Sequence, residues 1–430
     1  MIKSIYFHTL YYASISFYEI YILIKGIFTL ATHEHNLREK LENVIQRIYP
    51  ESIAFSYSSA RGAISSALSS IDIKPGEEVI ISSYTCLAVP TAILNANAVP
   101  VYCDVCKTSL NMTVQGMLAL VTEKTRAIII QHTMGIVAPV AELKKALVKT
   151  NIVIIEDCAL SVGSSSNAMP VGKIGNFSIF SMELSKTISC GWGGILVVNN
   201  KDFFESTRLE YDSIENLNKI TRTRMLLQTV LSALFHLPFL YRPTSLLSAC
   251  FFKFKIFQPS TPAIELKGET LKNFKSKLPP ELLPLAIHQW KRIQVVSSSC
   301  SANGQELATF LKKLGFSSKS IYFNNEQSVS NRLPLLVHDK EKFIDFFYKE
   351  GFEIGVWFDG PLSPQPTTES FLYKNDNFPN ANFLAKHIVN LPSNFRLNKK
   401  NLHDIKSILS RYVSKYSNEL EFQNQLNELL

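Results

Sequence analysis

One lysine stands out in the segment "FSMELSKTISCGWGGILVV", residues 180–198. Lys186 lies among small hydroxyl residues, just ahead of three glycines and an apolar run. Most lysines are solvated surface charges, whereas a lysine held in a pocket of small residues can act as a nucleophile. The segment leaves both interpretations of Lys186 open, and other motifs must decide between them.

Two further motifs carry groups that could bind a ligand. The run "IIEDCALS" places Asp157 directly after an apolar stretch, where a carboxylate binds a ligand, caps a helix or forms an ion pair. The run "SSARGAISSAL" (58–68) is a small-residue turn that opens an amphipathic helix. We expect backbone N–H groups near Arg61 and Gly62 to point at an anion, helped by the helix dipole. Many helices begin this way, so neither motif is specific by itself.

The three motifs together meet the requirements of pyridoxal phosphate. Its phosphate binds to helix N–H groups and hydroxyls, and a carboxylate pairs with its protonated pyridine nitrogen. A lysine forms the Schiff base and then moves the proton between the substrate carbon and the cofactor. Such a lysine must lose its own proton near neutral pH, which burial favours.

These motifs need a sheet to position them. Short apolar runs rich in β-branched residues alternate with helical segments, which is typical of an α/β fold with a mostly parallel sheet covered on both faces. Ligands bind beyond the carboxyl ends of such strands. His132 and Asp157 both end strand-like runs, so we expect both at this edge. The predicted strands cover residues 77–82, 98–105, 126–131, 151–157, 176–181 and 195–198.

The pattern changes near residue 280. There "NRLPLLV" and "FEIGVW" predict strands, while "KEKFIDFFYKEG" and "NLHDIKSILSRYV" predict helices. This mixture predicts a smaller C-terminal α+β domain. The predicted units are an apolar N-terminal extension (1–44), a large cofactor-binding domain (45–265) with an apolar insert at about 225–257, and a small domain (266–430).

The composition limits the possible partners. Of 430 residues, 46% are hydrophobic and 19% are charged, which indicates a folded globular protein. A net charge of +8, spread along the chain, favours an anionic small ligand or a membrane surface over nucleic acid. Seven cysteines without regular spacing do not form a disulfide framework, and the pair Cys103 and Cys106 lacks the second pair that a zinc site needs. We expect no metal and a cytoplasmic location.

Two apolar stretches raise the question of a membrane. Residues 4–31 have the length of a bilayer span, but one acidic and one basic side chain offset the apolar ones, so a span, an interfacial helix and a packed helix all stay open. Residues 225–257 are expected to break at Pro238 and Pro243 into pieces too short to cross a bilayer. A hairpin lying on the membrane and a buried dimer or domain interface are the alternatives for this stretch.

Several segments resemble, in order and spacing, the DegT/StrS family of fold-type I, pyridoxal-phosphate-dependent sugar aminotransferases. The resemblance runs from about residue 45 to 415 and includes "IKPGEEVIISSYTCLAVPTAILNANAVPVYCDV", "TRAIIIQHTMG", "IIEDCALSVGS", "PVGKIGNFSIFSMELSKTISCGWGGILVVNN" and "IVNLP". It implies that Asp157 pairs with the pyridine nitrogen and that Lys186 is the Schiff-base lysine. It also implies a phosphate site formed by Ser181, Ala60, Arg61 and Gly62.

The chain departs from the family pattern at positions near this implied site. Leu160 replaces the usual Gln or His after the aspartate, and Cys86 replaces the aromatic residue that often covers the ring. Trp192 stands in place of the glutamate of the glycine motif, and Ala60 and Arg61 replace the "GT" of the phosphate turn. The family's Asn-Tyr-Arg segment is not found, and the apolar insert lies just ahead of its expected place.

The resemblance implies a homodimeric aminotransferase that moves an amino group from an amino acid, with glutamate expected, to a nucleotide-linked keto-sugar. The apolar stretches suggest a membrane-associated version that acts in surface-polysaccharide synthesis. Two alternatives stay open. One is a different Schiff-base enzyme, and the other is a degenerate relative that binds the cofactor or a partner without turnover.

Overall fold

The centre of the fold is a seven-stranded sheet, as seen in a computed structural model that describes residues 7–9, 15–29, 34–269, 275–323, 328–416 and 418–429. The strands are β1 (Ile53–Tyr57), β2 (Glu78–Ser82), β3 (Thr85–Cys86), β4 (Val99–Cys103), β5 (Thr125–Gln131), β6 (Val153–Asp157), β7 (Ser165–Ser166), β8 (Met169–Pro170), β9 (Phe177–Ser181), β10 (Gly194–Val198), β11 (Arg332–Leu336), β12 (Leu362–Ser363) and β13 (Ile388–Pro392).

The helices flank this sheet and build the C-terminal region. They are α1 (Phe17–Thr29), α2 (Glu34–Gln46), α3 (Ala60–Ser70), α4 (Ala88–Asn95), α5 (Val114–Leu118), α6 (Val140–Ala146), α7 (Phe204–Ser213), α8 (Lys219–Phe235), α9 (Tyr241–Lys253), α10 (Leu283–Lys291), α11 (Ile293–Lys313), α12 (Lys340–Lys349), α13 (Pro379–His387), α14 (Lys399–Lys415) and α15 (Asn418–Leu429).

The main sheet has the order β1-β10-β9-β6-β5-β2-β4, and β10 is the strand that runs antiparallel to its neighbours. Every residue of β6, β9 and β10 is buried, which explains their continuous apolar runs. The predicted mostly parallel α/β sheet is confirmed, and all six predicted strands are present with ends within two residues of the prediction.

The parallel strands end at one edge of the sheet, and this edge positions the site. Gln131, the last residue of β5, pairs with Asp157, the last residue of β6. Ser181 ends β9 and lies opposite Gly194, where antiparallel β10 begins. Helix α3 starts at the same edge because β1 leads into it through Ser58 and Ser59.

The C-terminal region is an α+β unit around the antiparallel pair β11 and β13, packed with α11, α12 and α14. The prediction of a strand over "FEIGVW" is wrong. Phe352 and Gly355 form only isolated bridges, to His8 and Asn390, because two different segments flank this stretch. The predicted domain limits at 44/45 and 265/266 stay predictions. Helix α10 packs on α1 and α2, so it joins the C-terminal half of the chain to its beginning.

The two apolar stretches form short helices. Helix α1 packs on α10 with its Glu19 buried, and the rest of the 4–31 stretch lies partly outside the described residues. The 225–257 stretch forms α8 and α9, separated at Pro238 as predicted. The expected break at Pro243 is wrong, because this proline lies in the first turn of α9, where its missing N–H costs no helical hydrogen bond. Within the described part of the chain, no helix is long and apolar enough to cross a membrane.

Candidate active site

A cavity of about 320 Å³ opens at the carboxyl edge of the main sheet. Its volume falls at the low end of the range of small-molecule sites, about 300 to 1,000 Å³. Five of the six predicted site residues line it: Ala60, Arg61, Asp157, Ser181 and Lys186. The sixth, Gly62, is not part of the lining but follows Arg61 in the chain. Residues far apart in the sequence are therefore brought to one place.

Lys186 is a pocket lysine and not a surface charge. Its side chain is buried, and its Nζ lies 4.4 Å from the centre of the Trp357 ring. Burial lowers the pKa of Lys186, and the positive charge of Arg332 lowers it further, while Glu183, Cys86 and Asp157 act in the opposite direction. The net direction favours the uncharged amine that a nucleophile needs.

The C-terminal unit holds the lysine segment in place. Asn331 and Arg332 both donate hydrogen bonds to the carbonyl oxygen of Ser185, at 2.9 and 3.2 Å. The Arg332 guanidinium also lies 5.2 Å from the centre of the Trp357 ring, so that ring contacts two cations. Sequence reasoning missed Trp357, since no motif links residue 357 to residue 186.

Asp157 is the buried carboxylate at the end of β6. One of its oxygens accepts a hydrogen bond from the N–H of Ala159 at 3.0 Å. Burial raises the pKa of Asp157, although this hydrogen bond and the charges of Lys186 and His132 oppose the rise. A bound cation beside the carboxylate would lower its pKa again, so the site favours a positively charged partner.

The start of α3 differs in part from the prediction. Ser59 is the N-cap, and its hydroxyl accepts the Gly62 N–H at 3.2 Å, so this N–H is already used inside the helix. The Arg61 side chain forms an ion pair with the fully buried Glu265 and donates to the carbonyl of Ser260. Arg61 therefore ties the start of α3 to the segment that follows α9.

His132 has a structural role beside the cavity. Its Nδ1 accepts the N–H of Ala138 at 3.0 Å, which leaves Nε2–H to donate to the Glu156 carboxylate, also at 3.0 Å. Glu156 accepts three backbone N–H groups as well, from Gly172, Ile174 and Gly175. Burial opposes ionisation of Glu156, but its partners lower its pKa overall. The pair fixes the chain next to Asp157.

Of the residues that depart from the family pattern, some lie in the cavity and one lies outside it. Cys86 and Trp192 line the cavity, whereas Leu160 packs against the hydrophobic core. The Trp192 indole Nε1–H is buried and has no hydrogen-bond partner among the described residues. A buried donor without an acceptor costs free energy, and a ligand in the cavity could supply the missing acceptor.

The glycines after Lys186 let α8 approach the cavity wall. Gly191 has φ +90°, and a side chain there would collide with Thr229 of α8. The close neighbour of Gly191 is thus α8, one half of the apolar insert.

The chemistry of the lining fits pyridoxal phosphate. A buried lysine with a lowered pKa, a strand-end carboxylate and the Ser181 hydroxyl share one cavity. The unsatisfied Trp192 donor adds a group that needs an acceptor. Sequence reasoning missed other polar residues of the lining, including Glu183, Asp359, Ser260 and Thr261.

Curated relatives match the chain over a limited stretch. The L-glutamine:2-deoxy-scyllo-inosose aminotransferase of Streptomyces fradiae is 33% identical over 136 residues, which is 32% of each chain. The UDP-N-acetyl-3-dehydro-alpha-D-glucosamine 3-aminotransferase of Acidithiobacillus ferrooxidans is 34% identical over 151 residues, 35% of this chain and 41% of that one. The chain thus spans about a third of the length of the curated relatives it matches at this identity.

Solved structures share the whole fold. Helicobacter pylori PseC, an aminotransferase involved in the biosynthesis of pseudoaminic acid, superposes with a TM-score of 0.72 at 15% identity. The superposition covers 96% of this chain and 100% of that one. The fold is therefore that of fold-type I aminotransferases.

The family description that matches the sequence is the DegT/DnrJ/EryC1/StrS aminotransferase family, over residues 28–225. This stretch contains all seven strands of the main sheet and the cavity residues Ala60, Asp157, Ser181 and Lys186. By this match, residues 28–225, just under half of the chain, are similar to the DegT/DnrJ/EryC1/StrS aminotransferase family, whose cofactor is pyridoxal phosphate.

Proposed function

We propose that this protein is a pyridoxal-phosphate-dependent aminotransferase that moves an amino group from an amino acid to a nucleotide-linked keto-sugar. The observation that carries the proposal is the cavity in which the buried Lys186 lies with Asp157 and Ser181. The family match over residues 28–225 and the names of two relatives, which act on an inosose and on a UDP-linked sugar, support the choice of reaction.

The residues have separate tasks in this proposal. Lys186 would hold the cofactor covalently, Asp157 would face its ring nitrogen, and Ser181 with the start of α3 would hold its phosphate. When bound, the cofactor supplies an electron sink that makes a carbon-bound proton removable. Lys186 would take that proton at Nζ and return it, which its lowered pKa favours at neutral pH.

The partners follow from the same proposal. We propose glutamate as the amino donor, and glutamine must be compared with it because one relative is named for that donor. A homodimer, a cytoplasmic location at a membrane surface and a role in surface-polysaccharide synthesis belong to the proposal too.

Loss of the lysine tests the proposal. Purified protein loaded with the cofactor is expected to be yellow, and Lys186→Ala is expected to lose the visible absorbance band that requires the covalent bond. Lys149→Ala, at an exposed lysine, is the matched control and should keep the band. An unchanged spectrum in Lys186→Ala would show that another group holds the cofactor.

Amino donors separate the remaining alternatives. Adding glutamate or glutamine to the loaded wild-type protein should bleach the visible band if either one is the donor. UDP- and GDP-linked keto-sugars added afterwards should restore it. A band that no amino acid bleaches would favour the degenerate relative, which binds the cofactor without turnover.

A further inference from the structure

The apolar insert forms an exposed helical hairpin, defined here as residues 219–257. It consists of α8, α9, the turn that joins these two helices and the turn that follows α9. Its inner side is built from aromatic contacts, with the Phe251 ring 5.9 Å from Phe235 and 5.1 Å from Phe257. No residue of α9 is fully buried. Its outer side exposes large apolar side chains: Leu246 (78%), Leu247, Phe252, Phe254 (70%) and Ile256.

Two of these exposed side chains, Leu246 and Phe254, share one face. Leu246, Cys250 and Phe254 are spaced four residues apart, so they lie along one face of α9 and its last turn. A contiguous apolar surface of this kind on a folded protein marks a place where something else binds. The question is what covers it.

The charges of the hairpin answer that question. From residue 216 to 264 the chain has six lysines and arginines and no aspartate or glutamate: Lys219, Arg222, Arg224, Arg242, Lys253 and Lys255. Arg222 pairs with Glu281, outside this stretch. Lys253 and Lys255 are exposed and alternate with Phe252, Phe254 and Ile256.

This combination favours an anionic lipid surface over a second copy of the chain. A copy placed on the same face would bring lysines against lysines, because the hairpin has no carboxylate to pair with them. An anionic bilayer offers both partners, since acyl chains accept the apolar side chains and headgroups accept the lysines. We infer that the hairpin docks the protein on the surface of a bilayer with anionic headgroups, lying in the interface without crossing it.

The beginning of the chain widens this surface. The Phe7 N–H donates to the carbonyl of Pro238 at 2.9 Å, and the Phe7 ring stacks on Tyr241 at 4.8 Å. Phe17 of α1 and Phe239 in the hairpin turn are both exposed and line the same groove. Part of the other apolar stretch therefore lies beside the hairpin.

The inference deepens the membrane part of the proposed function and is independent of its catalytic part. Vesicle binding needs no cofactor and no substrate. A failure to bind vesicles leaves the Lys186 spectrum unchanged, and a failure of the Lys186 test leaves vesicle binding unchanged.

The test is flotation of the full chain with vesicles of phosphatidylcholine alone or of phosphatidylcholine with phosphatidylglycerol. We expect binding to the anionic vesicles, weakened by salt. The double variant Lys253→Glu with Lys255→Glu is expected to bind them at least roughly tenfold more weakly, since each basic residue near an anionic surface contributes to binding. The variant Leu246→Ser with Phe254→Ser is expected to lose a similar amount through its apolar contacts.

The control variants carry the same types of substitution at exposed positions outside the hairpin. Lys149→Glu and Leu209→Ser alter an exposed lysine and an exposed leucine outside the hairpin and should bind like the wild type. Thermal unfolding of each variant checks folding, and light scattering measures the mass. The inference is wrong if the hairpin variants float like the wild type, if the wild type ignores anionic vesicles, or if the variants convert a dimer to a monomer and leave vesicle binding unchanged.

Discussion

Lys186 owes its environment to residues from both halves of the chain. The large sheet supplies the burial, while Arg332 on β11 supplies a second positive charge and a hydrogen bond to Ser185. Two cations near one aromatic ring repel each other, and the lysine is the one that can give up its proton. Arg332 is thus a positioning residue that acts through the lysine.

Replacing Arg332 by glutamine should raise the pKa of Lys186, because a like charge that lowers it is removed. The fraction of uncharged amine at a given pH then falls, so the pH at half-maximal cofactor loading moves upward. A pH titration of the visible band measures this shift. Arg332→Lys keeps the charge and serves as the control. A lower loading at every pH without a shift of the midpoint would mean that Arg332 acts only through packing.

Trp192 has a buried indole N–H that donates no hydrogen bond to any described residue. Trp192→Phe removes the unsatisfied indole N–H, so the cofactor-free protein should be as stable as the wild type or more so. If a bound cofactor or substrate accepts that N–H, its affinity should fall by roughly two- to tenfold, the value of one hydrogen bond of about 0.5–1.5 kcal/mol. Thermal unfolding and a binding titration test the two halves separately. Unchanged affinity for both the cofactor and the sugar would leave Trp192 with a packing role.

At the scale of elements, α1 is attached through one buried carboxylate. Glu19 faces Arg292, with His288 and Arg396 each at 3.4 Å, so three potential cations share one acid. In the sequence, Glu19 is the acidic residue that makes residues 4–31 less suited to span a membrane. Its charge is instead the feature that anchors the helix to the rest of the protein.

Glu19→Gln should lower the free energy of unfolding by about 3 kcal/mol. This is the low end of the range for removing one partner of a buried ion pair, since Arg292 and Arg396 keep some contact with solvent. Urea unfolding measures the change. The exposed Glu39→Gln should change the free energy by less than about 1 kcal/mol. Equal effects of the two substitutions would contradict the anchoring role of Glu19.

The elements that the sequence predicted well are those whose own residues determine them. The buried strands follow from continuous apolar β-branched runs, and α3 follows from its small-residue start. The "FEIGVW" stretch has a strand-like composition, but a strand also needs a continuous neighbour, which is set by the tertiary fold. The predicted break at Pro243 is wrong because the effect of a proline depends on its position in a helix. No residue pattern in the sequence marks the start of α9.

At the scale of the whole molecule, the site could be predicted only in part. Ala60 starts α3, Asp157 and Ser181 end strands, and Lys186 lies in the loop that follows β9, so pattern and family resemblance find them. Trp357 and Ser260 reach the cavity from other parts of the chain, and only the packing of the C-terminal unit and the hairpin brings them there. A local sequence pattern does not predict such long-range contacts.

The contact between Gly191 and Thr229 links these scales. It leaves no space between the hairpin and the loop that carries Trp192, and the carbonyl of Ser260, in the segment that follows the hairpin, accepts a hydrogen bond from Arg61. The outer face of the hairpin and the wall of the cavity therefore belong to one mechanical unit. A side chain added at Gly191 would therefore displace α8 and the loop that carries Trp192 together.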